Sequence, residues 1–148
     1  MTFGPGLGLR SSVRSNPLAP NRHVVLTTWW IGAHLETEAN FAMTGGSICA
    51  AERITIGNNV TIGANTIISD TDFHSLSPQQ RRSESSGGTA APIVIEDDVF
   101  VGMNCLILKG VRIGQGSVVG TGSVVATDVP RYVIVAGNPA TVLRVVSP

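Results

Sequence analysis

A chain of 148 residues has room for one domain and for no second large core. Ten basic residues balance ten acidic ones, which leaves no basic footprint for nucleic acid and no patch for an anionic membrane surface. Hydrophobic residues make up 43% and charged residues only 14%, with 17 glycines, a balance that suits apolar walls joined by tight corners.

Residues 1–22, MTFGPGLGLRSSVRSNPLAPNR, mix Gly, Pro, Ser and Arg without periodicity. They are expected to form an N-terminal arm, extended or flexible, ahead of a single domain over 23–148. No charged start followed by an apolar stretch marks a secretory leader. No apolar run reaches membrane-spanning length either, so the expected compartment is the reducing cytoplasm. His23–Trp30, HVVLTTWW, reads as a strand of β-branched and aromatic residues, and its two tryptophans are expected to cap the end of the fold.

A six-residue period then emerges, weakly at Ile31 (IGAHLE) and Thr37 (TEANFA). One extra residue shifts its phase near Gly45–Gly46, where a bulge or widened corner is expected. It sharpens through AAERIT, IGNNVT and IGANTI. Between Asp70 and Pro92 it vanishes: DTDFHSLSPQQRRSESSGGTAAP is polar, holds two prolines and a glycine pair, and must leave the repeat as a loop. So long a loop is functional or disordered. From Ile95 six hexads follow in phase: IEDDVF, VGMNCL, ILKGVR, IGQGSV, VGTGSV and VATDVP. Tyr132–Val135 can form a last strand, AGNPA a turn, and TVLRVV a terminal strand.

The period has physical content. A strand alternates its side chains in and out, so six residues carry about two inward positions before the chain bends. The aliphatic first position and the small fifth position, which includes Cys105, point inward. Gly, Asn and Asp between them tolerate the left-handed backbone of a tight corner. Three such edges close a triangular coil of about eighteen residues, and coils stack about 4.8 Å apart through parallel ladders. A helix is excluded because the apolar spacing never holds to i, i+3, i+4, i+7. The fold class is all-β, a parallel β-helix with an extruded loop at about 70–92 and a short C-terminal segment.

Few residues suggest chemistry. His74, in SDTDFHSL at the root of the excursion, can accept a proton near neutral pH, since an unperturbed imidazole titrates at roughly pH 6.5. Asp70 and Asp72 precede it closely enough for a carboxylate to hold the ring in one tautomer. Arg81, Arg82 and Glu84 are expected on a solvated loop face, with Arg82 a further contact for an anionic acceptor. Phe73 is expected to anchor the loop on the prism. Glu96-Asp97-Asp98 reads as a corner rather than a metal site, because no other carboxylates or histidines cluster with it. Cys49 and Cys105 offer neither metal spacing nor a disulfide framework.

The hexads, with SICAAERITIGNNVTIGANTIISDTDFHSL upstream and APIVIEDDVFVGMNCLILKGVRIG and VIVAGNPATVLR downstream, resemble the hexapeptide-repeat acyltransferases. The type is that of the sugar and polysaccharide O-acetyltransferases, maltose and galactoside acetyltransferases among them. The resemblance spans roughly Leu35 to Arg144. It implies a left-handed coil, a hand opposite to the general rule for parallel crossovers and one the repeat alone does not decide.

The resemblance also implies a homotrimer with active sites between subunits. His74 is then the general base, acetyl-CoA the acyl donor, and a hydroxyl of a sugar or glycan precursor the acceptor, with direct transfer and no metal. Positions matching the family's donor contacts are Met103, Thr121, Ala126 and Thr127, with Arg144 near the adenine and phosphate end. Relatives often carry Thr-Lys where this chain has Ala126-Thr127, which removes a cation there; Lys109 is the chain's sole lysine.

Three other readings stand beside this one. N-acetylation of a nucleotide-linked amino sugar would use the same base. A metal-dependent lyase of the γ-carbonic anhydrase type needs three converging histidines, which His23, His34 and His74 are too scattered to supply. A non-catalytic trimeric scaffold would leave DTDFH without a purpose.

Overall fold

The computed structural model describes residues 1–18, 20–83 and 88–147; Glu84, expected on a solvated face, lies outside them. The strands come in threes. The first coil holds β1 (Thr2–Phe3), β2 (Gly8–Arg10) and β3 (Val24–Thr28). The second holds β4 (His34–Thr37), β5 (Ala42–Thr44) and β6 (Gly46–Ala50). The third holds β7 (Arg53–Ile56), β8 (Thr61–Ile62) and β9 (Ile67–Ser69). A short helix, α1 (Pro78–Ser83), interrupts the series. The fourth coil holds β10 (Ile93–Ile95), β11 (Phe100–Val101) and β12 (Leu106–Ile107). The fifth holds β13 (Arg112–Ile113), β14 (Val118–Val119) and β15 (Val124–Val125). Then come β16 (Val133–Gly137) and β17 (Ala140–Val145).

Every third strand joins the same wall. One wall runs β1-β4-β7-β10-β13, the second β2-β5-β8-β11-β14-β16-β17, and the third β3-β6-β9-β12-β15. Among the described residues all ladders are parallel except β16 with β17, which turns back antiparallel at the C-terminal end. In the strict region the register advances one coil per eighteen residues, with Ile95 opposite Ile113 and Phe100 opposite Val118. The structure is a three-sided parallel β-helix.

Side-chain alternation explains the walls. At the first hexad position Ile95, Val101, Ile107, Ile113, Val119 and Val125 are all buried, and so are Val99, Cys105, Val111, Ser117, Ser123 and Val129 at the fifth. Full burial of an aliphatic side chain is worth about 1.5–3 kcal/mol, so each coil adds stabilisation of its own. The corner between the first and second walls stacks Asn40, Asn59 and Asp98, all with positive φ near 60°. Asn40 Nδ2 donates to Asn59 Oδ1 at 2.9 Å and Asn59 Nδ2 to Asp98 Oδ1 at 3.1 Å. Short amide and carboxylate side chains tolerate this conformation, and here they also ladder the coils together.

Three expectations are revised. The arm over 1–22 is partly wall, since Thr2–Phe3 pair with Glu36–Thr37 and Gly8–Arg10 with Ala42–Thr44. Its glycines hid the pairing by breaking the apolar period, yet they permit it: a Cβ on Gly4 would lie 2.5 Å from the Glu38 backbone. Ile31, taken as the first repeat residue, is fully exposed in a turn, and the first fully buried core residue is Leu35. Trp29 does not close the prism end: it stands over half exposed against the base of the excursion. The phase slip at Gly45–Gly46 is a widened corner as expected. Both residues have positive φ, and a Cβ on Gly46 would meet the Thr66 carbonyl oxygen at 2.1 Å.

Candidate active site

The third coil ends at Ser69, and the chain leaves the prism through Asp70. Asp70 is fully buried. Its Oδ1 accepts from the Ala51 amide at 2.6 Å, and its Oδ2 from the amides of Glu52 and Arg53 at 2.9 and 2.8 Å. This carboxylate therefore fixes the corner of the coil below. Asp72 sits higher, and its Oδ2 accepts from Lys109 Nζ at 2.5 Å and from the Thr89 hydroxyl at 3.1 Å. The hydrogen bonds of both carboxylates go to these partners rather than to the imidazole.

Phe73 follows with φ of 61°. A bulky side chain in the left-handed region is strained by about 1–3 kcal/mol and persists only where its surroundings over-determine it. Here they do. The Trp29 ring meets Phe73 edge-on, with centroids 6.0 Å apart and planes at 81°. From the returning strand Gly88 approaches so closely that a Cβ on it would lie 2.6 Å from Phe73 C and 2.8 Å from His74 N. Phe73 thus anchors the loop as expected, with Trp29 as its support.

His74 comes directly after this strained residue. Its amide donates to the Asp72 carbonyl at 2.7 Å, and its side chain is exposed at the rim. Beyond it the excursion folds back on itself. Ser77 opens α1: its carbonyl accepts the Arg81 amide at 2.9 Å and its hydroxyl the Gln80 amide at 3.5 Å. Pro78 occupies the first helical position, where a missing N–H costs nothing. Arg81 Nη1 donates to the carbonyls of Ser75 and Leu76 at 3.0 and 3.3 Å, while Arg82 is exposed. The loop expected to lack structure therefore holds a helix. The signal was the run S-P-Q-Q, a capping pattern, whose proline marked a helix start and not a break.

The expected donor contacts divide between two edges of the prism. Met103 and Thr121 share a cavity of about 460 Å³ outside the second wall, lined also by Gly63, Gly102, Asn16 and Leu18. Ala126 and Thr127 lie exposed at the corner between the third and first walls, the edge that also carries His74 two coils below. Arg144 is exposed on β17, opposite Ile134. The part of Asn16 and Leu18 in this lining had no sequence signal, because residues 11–18 show no period.

The remaining groups are structural. Burial, and after it the charge of Asp70, pushes the Cys49 thiol up; burial does the same to Cys105, which donates to the Gly120 carbonyl at 3.2 Å. Neither is poised as a thiolate nucleophile. Glu96 accepts from the Gln115 amide at 2.9 Å, which, with Arg131 at 2.9 Å and Arg112 at 2.7 Å, holds its carboxyl at about 2 against the opposing effect of burial. Asp97 Oδ1 accepts from the Asn58 amide at 2.8 Å, so the acidic triplet is a corner. Among the described residues no three His, Cys, Asp or Glu side chains are arranged to hold a metal, and no helix is long and apolar enough to cross a membrane.

Comparison with known proteins agrees with this architecture. The profile of the hexapeptide repeat of succinyl-transferase matches residues 53–69 and 92–126. A hexapeptide-repeat-containing acetyltransferase of Vibrio cholerae O1 biovar eltor, solved with acetyl coenzyme A, superposes with a TM-score of 0.79 at 30% identity, covering 99% of this chain and 72% of that one. A galactoside acetyltransferase in complex with coenzyme A gives 0.79 at 28% identity, with 99% and 65% covered. A 2,3,4,5-tetrahydropyridine-2,6-dicarboxylate N-acetyltransferase of Staphylococcus aureus is 39% identical over 90 residues, 61% of this chain; the chain spans only 32% of that relative's length. The chain belongs to the hexapeptide-repeat acyltransferase family.

Proposed function

We propose that the protein is an acetyl-CoA-dependent O-acetyltransferase acting on a hydroxyl of a sugar or glycan precursor. The observation that carries this reading is the presentation of His74: an exposed imidazole on a rigid rim, directly after a strained residue held from two sides. His74 takes the proton of the acceptor hydroxyl as the oxygen attacks the thioester carbonyl of acetyl-CoA. Backbone N–H groups stabilise the oxyanion that forms. The tetrahedral intermediate collapses with loss of the CoA thiolate, to which the imidazolium returns the proton. In this reading Arg82, exposed on α1, is a further contact for an anionic acceptor.

The same reading takes the coil as left-handed and residues 23–148 as one catalytic domain, to which the N-terminal segment adds a first coil. Because His74 and the cavity at Met103 and Thr121 lie on different edges of one prism, the reading needs a neighbouring copy to complete the site, and it takes the assembly as a homotrimer. One subunit supplies the base and its neighbour that wall of the donor cleft. Ala126, Thr127 and Arg144 extend the cleft toward the nucleotide, and the site of action is the cytoplasm, where acetyl-CoA is made available.

The test is His74→Ala, assayed by release of CoA thiol with a simple galactoside as acceptor. We expect an intact fold and a fall in kcat on the order of 10²–10⁴; an unchanged kcat removes His74 from the mechanism. The Staphylococcus relative, named for N-acetylation, favours an amino acceptor as the second reading. A nucleotide-linked amino sugar turned over in preference to hydroxyl-only acceptors would establish it. Intact trimers that bind no CoA in calorimetry would instead leave a scaffold.

A further inference from the structure

The geometry points to Lys109 as the positioning residue of the site, fixing His74 through Asp72 by clasping the two strands of the excursion's neck. This rests on His74 being the base. The neck is narrow. Thr71 and Ala90 form an antiparallel bridge, the Asp72 amide donates to the Thr89 carbonyl at 3.1 Å, and the Ala91 amide donates to the Asp70 carbonyl at 2.9 Å. Lys109 reaches this neck from the next coil, at the corner between β12 and β13. Its Nζ donates to Asp72 Oδ2 at 2.5 Å on the outgoing strand, and to the Thr89 carbonyl at 3.4 Å and the Thr89 hydroxyl on the returning one.

The clasp is built to hold still. The Gly110 amide, next in sequence, donates to the Ala91 carbonyl at 2.9 Å, which ties the backbone beside Lys109 to the same returning strand. The ammonium and the carboxylate are 27% and 24% exposed, so the pair is partly withdrawn from water and stronger than a solvated one. Asp72 passes the constraint on, because its carbonyl accepts the His74 amide at 2.7 Å. Any shift of Asp72 therefore carries His74 with it, and a misplacement of 1 Å at a reacting group can cost about 10² in rate. The three contacts that Nζ makes among the described residues all go to the neck, which gives the chain's sole lysine a task other than meeting a phosphate.

Two measurements test this. The first needs no acceptor: amide deuterium exchange over residues 70–76, compared with the β10–β15 walls. Lys109→Met should speed exchange at the neck by about tenfold or more and leave the walls unchanged, while Lys109→Arg restores most protection. Unchanged exchange at the neck overturns the clasp, as does loss of protection throughout the walls. The second is turnover of acetyl-CoA with a simple galactoside. Lys109→Met should lower kcat about tenfold, with the KM for acetyl-CoA within about twofold of the parent, and Lys109→Arg should recover most of kcat. Asp72→Asn should lower kcat similarly, and the double variant should be no worse than either single one. Additive losses, or a loosened neck with undiminished kcat, overturn the link to His74. A His74→Ala enzyme that keeps its turnover defeats the reading of the base while leaving the exchange result standing, so the two failures are distinguishable.

Discussion

Asp70 and Glu96 show how much a single carboxylate can hold when the backbone surrounds it. Asp70 spends both oxygens on three amides of one corner, and replacing it with Asn leaves one acceptor oxygen where two stood. The corner amides then face an NH₂ group. We expect Asp70→Asn to cost about 3 kcal/mol, read as a lower urea midpoint at unchanged m-value. A loss below about 0.5 kcal/mol would mean that water replaces the carboxylate. Glu96 gives a pH signature. Its folded pKa, about 2, lies below the ordinary 4.5, so its contribution is present above that ordinary value and is lost as pH falls from 4.5 toward 2. Glu96→Gln should flatten the stability curve in that window and leave its shape above about pH 6 unaltered. Equal acid sensitivity in the parent and the variant would refute the assignment.

At the scale of the strand and corner, most of the fold was legible because two inward positions per hexad leave a strong imprint. Ile95, Val101 and Ile107 announce their walls from spacing alone. Gly8–Arg10 do not, since a three-residue strand with glycine and arginine carries no period and is revealed only by its partner, Ala42–Thr44. The candidate site was half legible. DTDFH marked the excursion and its histidine. The contacts that brace it come from Trp29, Gly88, Thr89 and Lys109, which only closure of the coils brings together. Thr37 is the exception inside the core, a hydroxyl at an inward first position that is 5% exposed and has no partner among the described residues. Valine has the same shape without the unmet polar atom. Thr37→Val should therefore raise the thermal midpoint by about 2–4 °C, roughly 1 kcal/mol for a domain of this size. A lowered midpoint would show that the hydroxyl is hydrogen-bonded after all.

The whole molecule is a stack in which each coil touches its neighbours, so stability accrues coil by coil while chemistry has to be assembled at the edges. At the C-terminal end the antiparallel β17 covers the edge of β16, a common protection of an open strand. The first coil does comparable service for β4 and β5 at the other end. Along the sides nothing among the described residues of one chain brings the His74 edge to the cavity at Met103 and Thr121, because the third wall separates the two corners. If neighbouring copies unite them, two crippled chains should repair each other. On the proposed reading His74→Ala removes the base and Thr121→Trp fills the cleft, so each variant assembled alone should be inactive. Co-expressed in equal amounts, they assemble sites at random, and roughly one site in four pairs an intact base with an open cleft across a cyclic interface. Activity near a quarter of the parent's is the expected result. Mixed assemblies as inactive as the two parents would show that base and cleft belong to one chain, and the intersubunit site would have to be abandoned.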